Sequence, residues 1–180
     1  MQIGRGFVVL SILFYASSAQ SYYEIDGSPY ATHDAPISEY IKSHAEKVIV
    51  VDPRNHVWGA YNPKGKLIRW GIATAGSDIC PEGGNSCRTK SGSFRIYSLG
   101  DGSCTSSKYP VPGGGASMPY CMYFNGSQAL HGSSDVEFNN VSHGCVRIHL
   151  DDAKWLRYQF VEAPSAANHY RGTKVIIQPY

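Results

Sequence analysis

Three consecutive apolar runs, each closed by turn residues, constrain this chain more than any other feature. Lys47-Val48-Ile49-Val50-Val51-Asp52 is rich in β-branched side chains, which suit a pleated strand better than a helix. Asp52-Pro53-Arg54-Asn55 closes it, Val57 to Tyr61 follows as a second strand, and Asn62-Pro63-Lys64-Gly65 turns into a third, Leu67 to Ala75. Proline presets the turn's φ and glycine tolerates positive φ, so the segment predicts a meander. Gly92 to Tyr97 alternates apolar and polar side chains as a half-buried strand should. Shorter strands are expected at Cys121 to Phe124, Gln128 to His131, Cys145 to Ile148 and Lys174 to Gln178. One helix is expected from a cap at Asp151 to about Phe160, with Leu150, Ala153, Leu156 and Phe160 near one face. Thirteen tyrosines and nineteen glycines agree with a mainly β chain. Trp58, Trp70 and Trp155 read as core aromatics.

The ends of the chain carry a different signal. Arg5 precedes the short apolar stretch Phe7 to Phe14, and Ser17-Ser18-Ala19 places small residues where a signal peptidase reads. Residues 1–19 are therefore expected to be a secretory signal, cleaved before Gln20. Residues 20–45 form a polar leader expected to end in a short helix around Ile37 to Ile41. The remaining chain, residues 46–178, is the length of one domain. A formal charge of +2 gives no argument for nucleic acid or for a membrane surface. No segment after the signal is apolar enough to cross a membrane, so no stable insertion is expected after cleavage.

Five cysteines in an exported chain are informative because the number is odd. Cys80 and Cys87 flank a Gly/Asn-rich loop, and Cys104 and Cys121 bracket a second loop rich in Gly and Pro. Four cysteines allow three connectivities; the sequential one, Cys80–Cys87 and Cys104–Cys121, closes the shortest loops and is the one expected. Cys145 is then left over, either paired to another molecule or chemically employed.

The surroundings of Cys145 favour chemistry. Thiols attack carbonyls as thiolates, and a nearby imidazole can take the proton while backbone N–H groups hold the oxyanion. His143 lies two residues before Cys145, which on a strand would put both on one face. His131 ends the preceding strand, which is expected to pair with the strand of Cys145. Gly144 lets a substrate approach the backbone closely.

His131-Gly132 followed by Ser142-His143-Gly144-Cys145-Val146-Arg147 resembles the signature of the L,D-transpeptidase catalytic domain. Thr89 to Phe94 and Met118-Pro119-Tyr120-Cys121-Met122-Tyr123-Phe124 are similar to stretches that family carries upstream. The resemblance implies a mainly β fold, the family's β-sandwich with one or two short helices. It implies Cys145 as nucleophile, His131 as proton donor and acceptor with its ring oriented by a backbone carbonyl such as that of Gly132, and His143 as an auxiliary. Gly144 and Cys145 N–H groups would form the oxyanion pocket. Ser142, Arg147, Gly132 and Tyr120 would contact substrate or support the turn. The implied partner is the peptidoglycan stem peptide, the implied location the periplasm or cell envelope, or secretion, and the implied state a monomer without cofactor.

Other readings use the same residues. His131, His143, Cys145 and His149 are all zinc-ligand types, but their spacing matches no common structural or catalytic zinc set. Arg147 could simply pair with Asp151 or Asp152. On the same fold, the acyl group could pass to water, giving an L,D-carboxypeptidase, or to a protein amine, giving wall attachment. A non-catalytic, disulfide-stapled envelope or host-interaction module is the alternative of another class.

Overall fold

The computed structural model of the protein describes residues 32–110 and 112–180, so the signal segment and the start of the leader lie outside the described residues. Strands β1 (Val48–Asp52), β2 (Val57–Tyr61) and β3 (Leu67–Thr74) form the expected antiparallel meander. They are followed by β4 (Gly92–Arg95), β5 (Ser98–Leu99), β6 (Met122–Asn125), β7 (Gln128–Ser133), β8 (Val146–His149) and β9 (Lys174–Ile177). All nine belong to one sheet, in the order β4-β9-β1-β2-β3-β8-β7-β6-β5. Its two edge strands are neighbours in sequence. Across the corner between them, Ile96 N–H donates to the Thr173 carbonyl and Tyr97 N–H to the Tyr123 carbonyl, each at 2.9 Å. The sheet therefore curls until its ends meet, and Phe94 of β4 packs on Phe124 of β6 with ring centroids 5.5 Å apart. This is the expected β-sandwich, with one short helix, α1 (Leu150–Trp155).

The unbroken apolar run of β1 is explained by burial on both faces. Ile49 and Val51 join Trp58, Leu130 and Ile148 in the main core, whereas Val48 and Val50 join Val57, Tyr61, Leu67 and Trp70 in a second cluster. Ala35, Ile37 and Ile41 of the leader cover that second cluster. The leader does not end in the expected helix. It has a 3-10 turn at Thr32–Asp34 and then bends, Tyr40 bridging to Lys66. Ile41 N–H donates to the Gly65 carbonyl and Leu67 N–H to the Glu39 carbonyl, both at 2.8 Å, and the Tyr61 hydroxyl donates to the Ser38 carbonyl at 2.7 Å. A helix of about five residues is unstable in isolation; the β2–β3 turn offers the same backbone groups a partner.

The expected helix is also altered. It starts at Leu150 with His149 at the cap position, no side chain caps it, and Leu156–Phe160 continues as a π-helical turn. Asp151 thus lies in the first turn rather than at the cap, where its charge still suits the helix dipole. Ala153, Leu156 and Phe160 face the core as expected, but Leu150 stays exposed. Asp152 is buried and accepts from Arg69 of β3, Nε at 3.0 Å and Nη2 at 2.7 Å. The Arg69 guanidinium also lies over the half-buried Trp155 ring, 4.9 Å from its centroid, so charge and stacking together pin α1 to the sheet.

Removing one partner from a buried pair strands the other charge. Asp152→Ala should lower the unfolding free energy by about 3 kcal/mol in a denaturant titration, whereas Asp151→Ala, at an exposed neighbour, should change it by less than about 0.5 kcal/mol.

Candidate active site

Strands β7 and β8 run parallel, with Leu130 opposite Val146 and His131 opposite Arg147. Side chains alternate along each strand. Leu130, Val146 and Ile148 enter the core, which leaves His131, Arg147 and the adjoining Cys145 on the other face. That face is the floor of a cavity of about 660 Å³, lined among others by Cys145, His131, Arg147, Ser142, His143 and Tyr109. Parallel neighbours need a crossover, and residues 134–145 supply it. Thr74 at the end of β3 holds this segment through Glu137, its hydroxyl donating to the carbonyl at 2.7 Å and accepting from the N–H at 2.6 Å. Asn140 ties it to Ala75 and Pro53.

Cys145 is the free thiol and keeps partial access to solvent. Burial pushes its pKa above the ordinary value, opposed by a hydrogen bond from the Ala129 backbone and by the positive charge of Arg147. The Sγ also lies 3.6 Å from the Ser127 carbonyl. His131 is buried, 6% exposed, and that burial holds its pKa below the ordinary imidazole value, with Arg147 acting in the same direction. Its Nδ1 sits 3.0 Å from the Gly132 carbonyl. A carbonyl can only accept, so Nδ1 carries the proton and Nε2 the lone pair. Both groups are thereby neutral at neutral pH.

The position of Cys145 depends on the turn before it. Gly144 has φ +111°, a region unfavourable to side chains, and an added Cβ would lie 3.0 Å from Gln128 Nε2 and 3.3 Å from the Cys87 carbonyl. Ser142, buried, donates its hydroxyl to the Cys145 carbonyl and accepts from Gly144 N–H at 3.1 Å. The Gly144 N–H, expected in the oxyanion pocket, is thus turned onto Ser142. Buried Thr89 donates to the Gly144 carbonyl and accepts from Gly76 N–H, both at 3.0 Å. The Tyr180 hydroxyl locks this layer, accepting from Thr89 N–H at 2.6 Å and donating to the Gly76 carbonyl at 2.8 Å.

Several expected placements change. His143 does not share a strand face with Cys145, because β8 begins only at Val146 and the positive φ of Gly144 interrupts the alternation. It lies in the cavity wall instead, Nε2 2.9 Å from a Glu82 carboxylate oxygen and its ring 4.3 Å from that of Tyr109. Arg147 pairs with Asp135 of the crossover, not with Asp151 or Asp152; Asp152 is taken by Arg69. Gly132 lies under α1, its would-be Cβ 2.9 Å from Leu150 and 3.2 Å from Ala153, so its absent side chain serves helix packing. Tyr120, at φ +60°, sits edge-on to Tyr158 and packs against the core rather than lining the cavity. Tyr97, Tyr109 and Tyr123 line it instead.

The disulfides are Cys80–Cys87 and Cys104–Cys121, the sequential connectivity. Their loops are more than ornaments: Glu82 of the first holds His143, and the second supplies the wall from Ser106 to Tyr109. The sequence gives no sign of Glu82 or Tyr109. No local motif marks them, because they reach the site only by long-range folding. Among the described residues no group of three or more His, Cys, Asp or Glu side chains could hold a metal ion, and no helix is long and apolar enough to cross a membrane.

Residues 46–177 match the L,D-transpeptidase catalytic domain. The chain belongs to that family. Among solved structures, the L,D-transpeptidase of Xylanimonas cellulosilytica is similar at 27% identity and a TM-score of 0.62, over 82% of this chain and 67% of that one. The Mycobacterium smegmatis L,D-transpeptidase shares 19% identity at a TM-score of 0.56, over 74% and 59% of the two chains. A cysteine-to-serine mutant of the Enterococcus faecium L,D-transpeptidase shares 20% at 0.57, over 73% and 49%. At these last two identities the likeness is one of fold. The chain thus spans between about half and two thirds of these structures. No curated protein sequence matches it.

An L,D-transpeptidase fold whose free thiol is largely desolvated and neutral makes a prediction about titration. Since burial favours the uncharged form, iodoacetamide alkylation of Cys145 should rise with a midpoint above that of an ordinary cysteine thiol. A plateau already reached at pH 7 would show an ion pair at rest instead.

Proposed function

We propose that this protein is an exported cysteine acyltransferase that forms 3-3 cross-links between peptidoglycan stem peptides. The observation that carries the proposal is the shared cavity of Cys145, left out of both disulfides, and His131, whose Nδ1–H is committed to the Gly132 carbonyl. Residues 1–19 direct export to the periplasm or cell envelope, and the catalytic domain spans residues 46–178.

Cys145 attacks the carbonyl of the stem's third residue, usually diaminopimelate, and His131 Nε2 takes the thiol proton as the C–S bond forms. The cation of Arg147 lowers the energy of the transient thiolate. The same imidazole then protonates the departing amine of the terminal D-alanine. A neutral imidazole suits both steps, since it must accept before it donates. The thioester is resolved by the side-chain amine of a second stem. No cofactor enters these steps, and the catalyst acts as a monomer. Membership of the family and the 27% identity to the Xylanimonas enzyme support this reading.

The test is incubation with a disaccharide-tetrapeptide, with and without an acceptor stem, followed by product analysis and protein mass. Wild type should release D-alanine, yield dimer when acceptor is present, and gain a carbapenem adduct. Cys145→Ala should do none of these, and His131→Gln should lose at least about 100-fold in kcat/KM. Tripeptide without dimer would assign transfer to water. A wild type that is inert and takes no adduct would overturn the proposal in favour of a non-catalytic module.

A further inference from the structure

Tyr180 does not line the cavity of Cys145 and His131, yet its hydroxyl stands one residue away from the turn before the thiol. It accepts from Thr89 N–H at 2.6 Å and donates to the Gly76 carbonyl at 2.8 Å. Thr89, 1% exposed, hands the contact on: its hydroxyl accepts from Gly76 N–H and donates to the Gly144 carbonyl, both at 3.0 Å. Gly76 has no room for a side chain, since an added Cβ would lie 1.9 Å from the Cys87 carbonyl oxygen and 2.7 Å from Thr89 N. The Tyr180 ring is held in turn by the Arg88 guanidinium, 4.8 Å from its centroid, and Arg88 by Asp78 at 2.7 Å. Burial pushes the pKa of the Tyr180 hydroxyl up, so it keeps the proton that it shares with the Gly76 carbonyl.

The Gly144 carbonyl and the Cys145 N–H belong to one trans peptide, so they lie in one plane and point in opposite directions. Holding the carbonyl therefore aims the N–H. With the Gly144 N–H turned onto Ser142, the Cys145 N–H is the member of the expected pair that remains for an oxyanion. We infer that Tyr180 is a positioning residue: through Thr89 and the Gly144 carbonyl, its hydroxyl directs the Cys145 N–H at the oxygen of the attacked carbonyl. The inference rests on the acyl-enzyme proposed above. When sulfur adds to a carbonyl, the oxygen takes the electron pair of the C=O double bond, and a donor already aimed at it lowers the barrier. A peptide free to tilt would lose part of that effect to reorganisation.

The test compares two reactions of the same thiol in the full mature chain. Carbapenem acylation passes through an oxyanion, whereas iodoacetamide alkylation displaces iodide at a saturated carbon and forms none. Tyr180→Phe keeps the ring against Arg88 and removes the hydroxyl. It should slow carbapenem acylation about tenfold, less than the roughly hundredfold that follows outright removal of an oxyanion donor. Its alkylation rate should stay within about twofold of wild type, with an unchanged pH midpoint. Thr89→Val should reproduce this split, and Thr89→Ser, which keeps the hydroxyl, should acylate as wild type. Should Thr89→Val fail to fold, Tyr180→Phe decides alone. Tyr170→Phe, exposed and away from the cavity, should behave as wild type in both reactions. Equal acylation of wild type and Tyr180→Phe overturns the inference. So does a loss shared equally by acylation and alkylation, which marks a purely structural layer. If wild type is alkylated but takes no carbapenem, the acyl-enzyme reading fails and this inference fails with it.

Discussion

The parallel ladder between β7 and β8 is the constraint on which the rest of the site depends. Four residue pairs from Leu130–Val146 to Ser133–His149 set the register. A slip of one residue would turn His131 and Arg147 into the core and bring Leu130 and Val146 to the cavity. That slip is opposed by burial, since Leu130, Val146 and Ile148 are fully enclosed. The packing that stabilises the sandwich therefore also aims the imidazole and places the thiol. The crossover that a parallel pair requires is held on β3 through Thr74, so the meander at the start of the chain fixes the entrance of the site.

Burial has a second consequence, electrostatic rather than geometric. It raises the thiol and depresses the imidazole, which keeps a neutral pair in place of a thiolate–imidazolium pair. Arg147 partly offsets the effect on Cys145 while adding to that on His131. Its own pairing with Asp135 fixes where that charge stands and links β8 to the crossover. A thiol kept in its uncharged form is less reactive at rest than a thiolate.

The two disulfides play a role that cysteine counting did not suggest. They staple the loops that wall the cavity and carry Glu82 and Tyr109 to His143. A lone hydrophilic loop would lose much of its order to conformational entropy; a short covalent ring keeps the carboxylate near the imidazole. The same loops bound a second cavity of about 390 Å³. The leader behaves similarly: its Ala35, Ile37 and Ile41 look unremarkable in sequence but cover the outer face of β1.

By itself the sequence determined the meander and the mainly β class, and it pointed to the sequential disulfides and to the pairing of the His131 strand with the strand that follows Cys145. Each of these depends on local chemistry: β-branched runs, Pro and Gly turns, short loops between cysteines, and a compact motif. Helix details were less legible, because Asp152 is drawn into the interior by Arg69, 83 residues away, and no local rule reveals such a partner. His143 was misplaced for a related reason, since a strand's alternation cannot be carried across a glycine at φ +111°. Only the tertiary structure decided which carboxylate meets His143, which aspartate meets Arg147, and that Tyr120 and Gly132 serve packing. Those outcomes depend on contacts between segments far apart in the chain, whose geometry is set by the closure of the whole sheet.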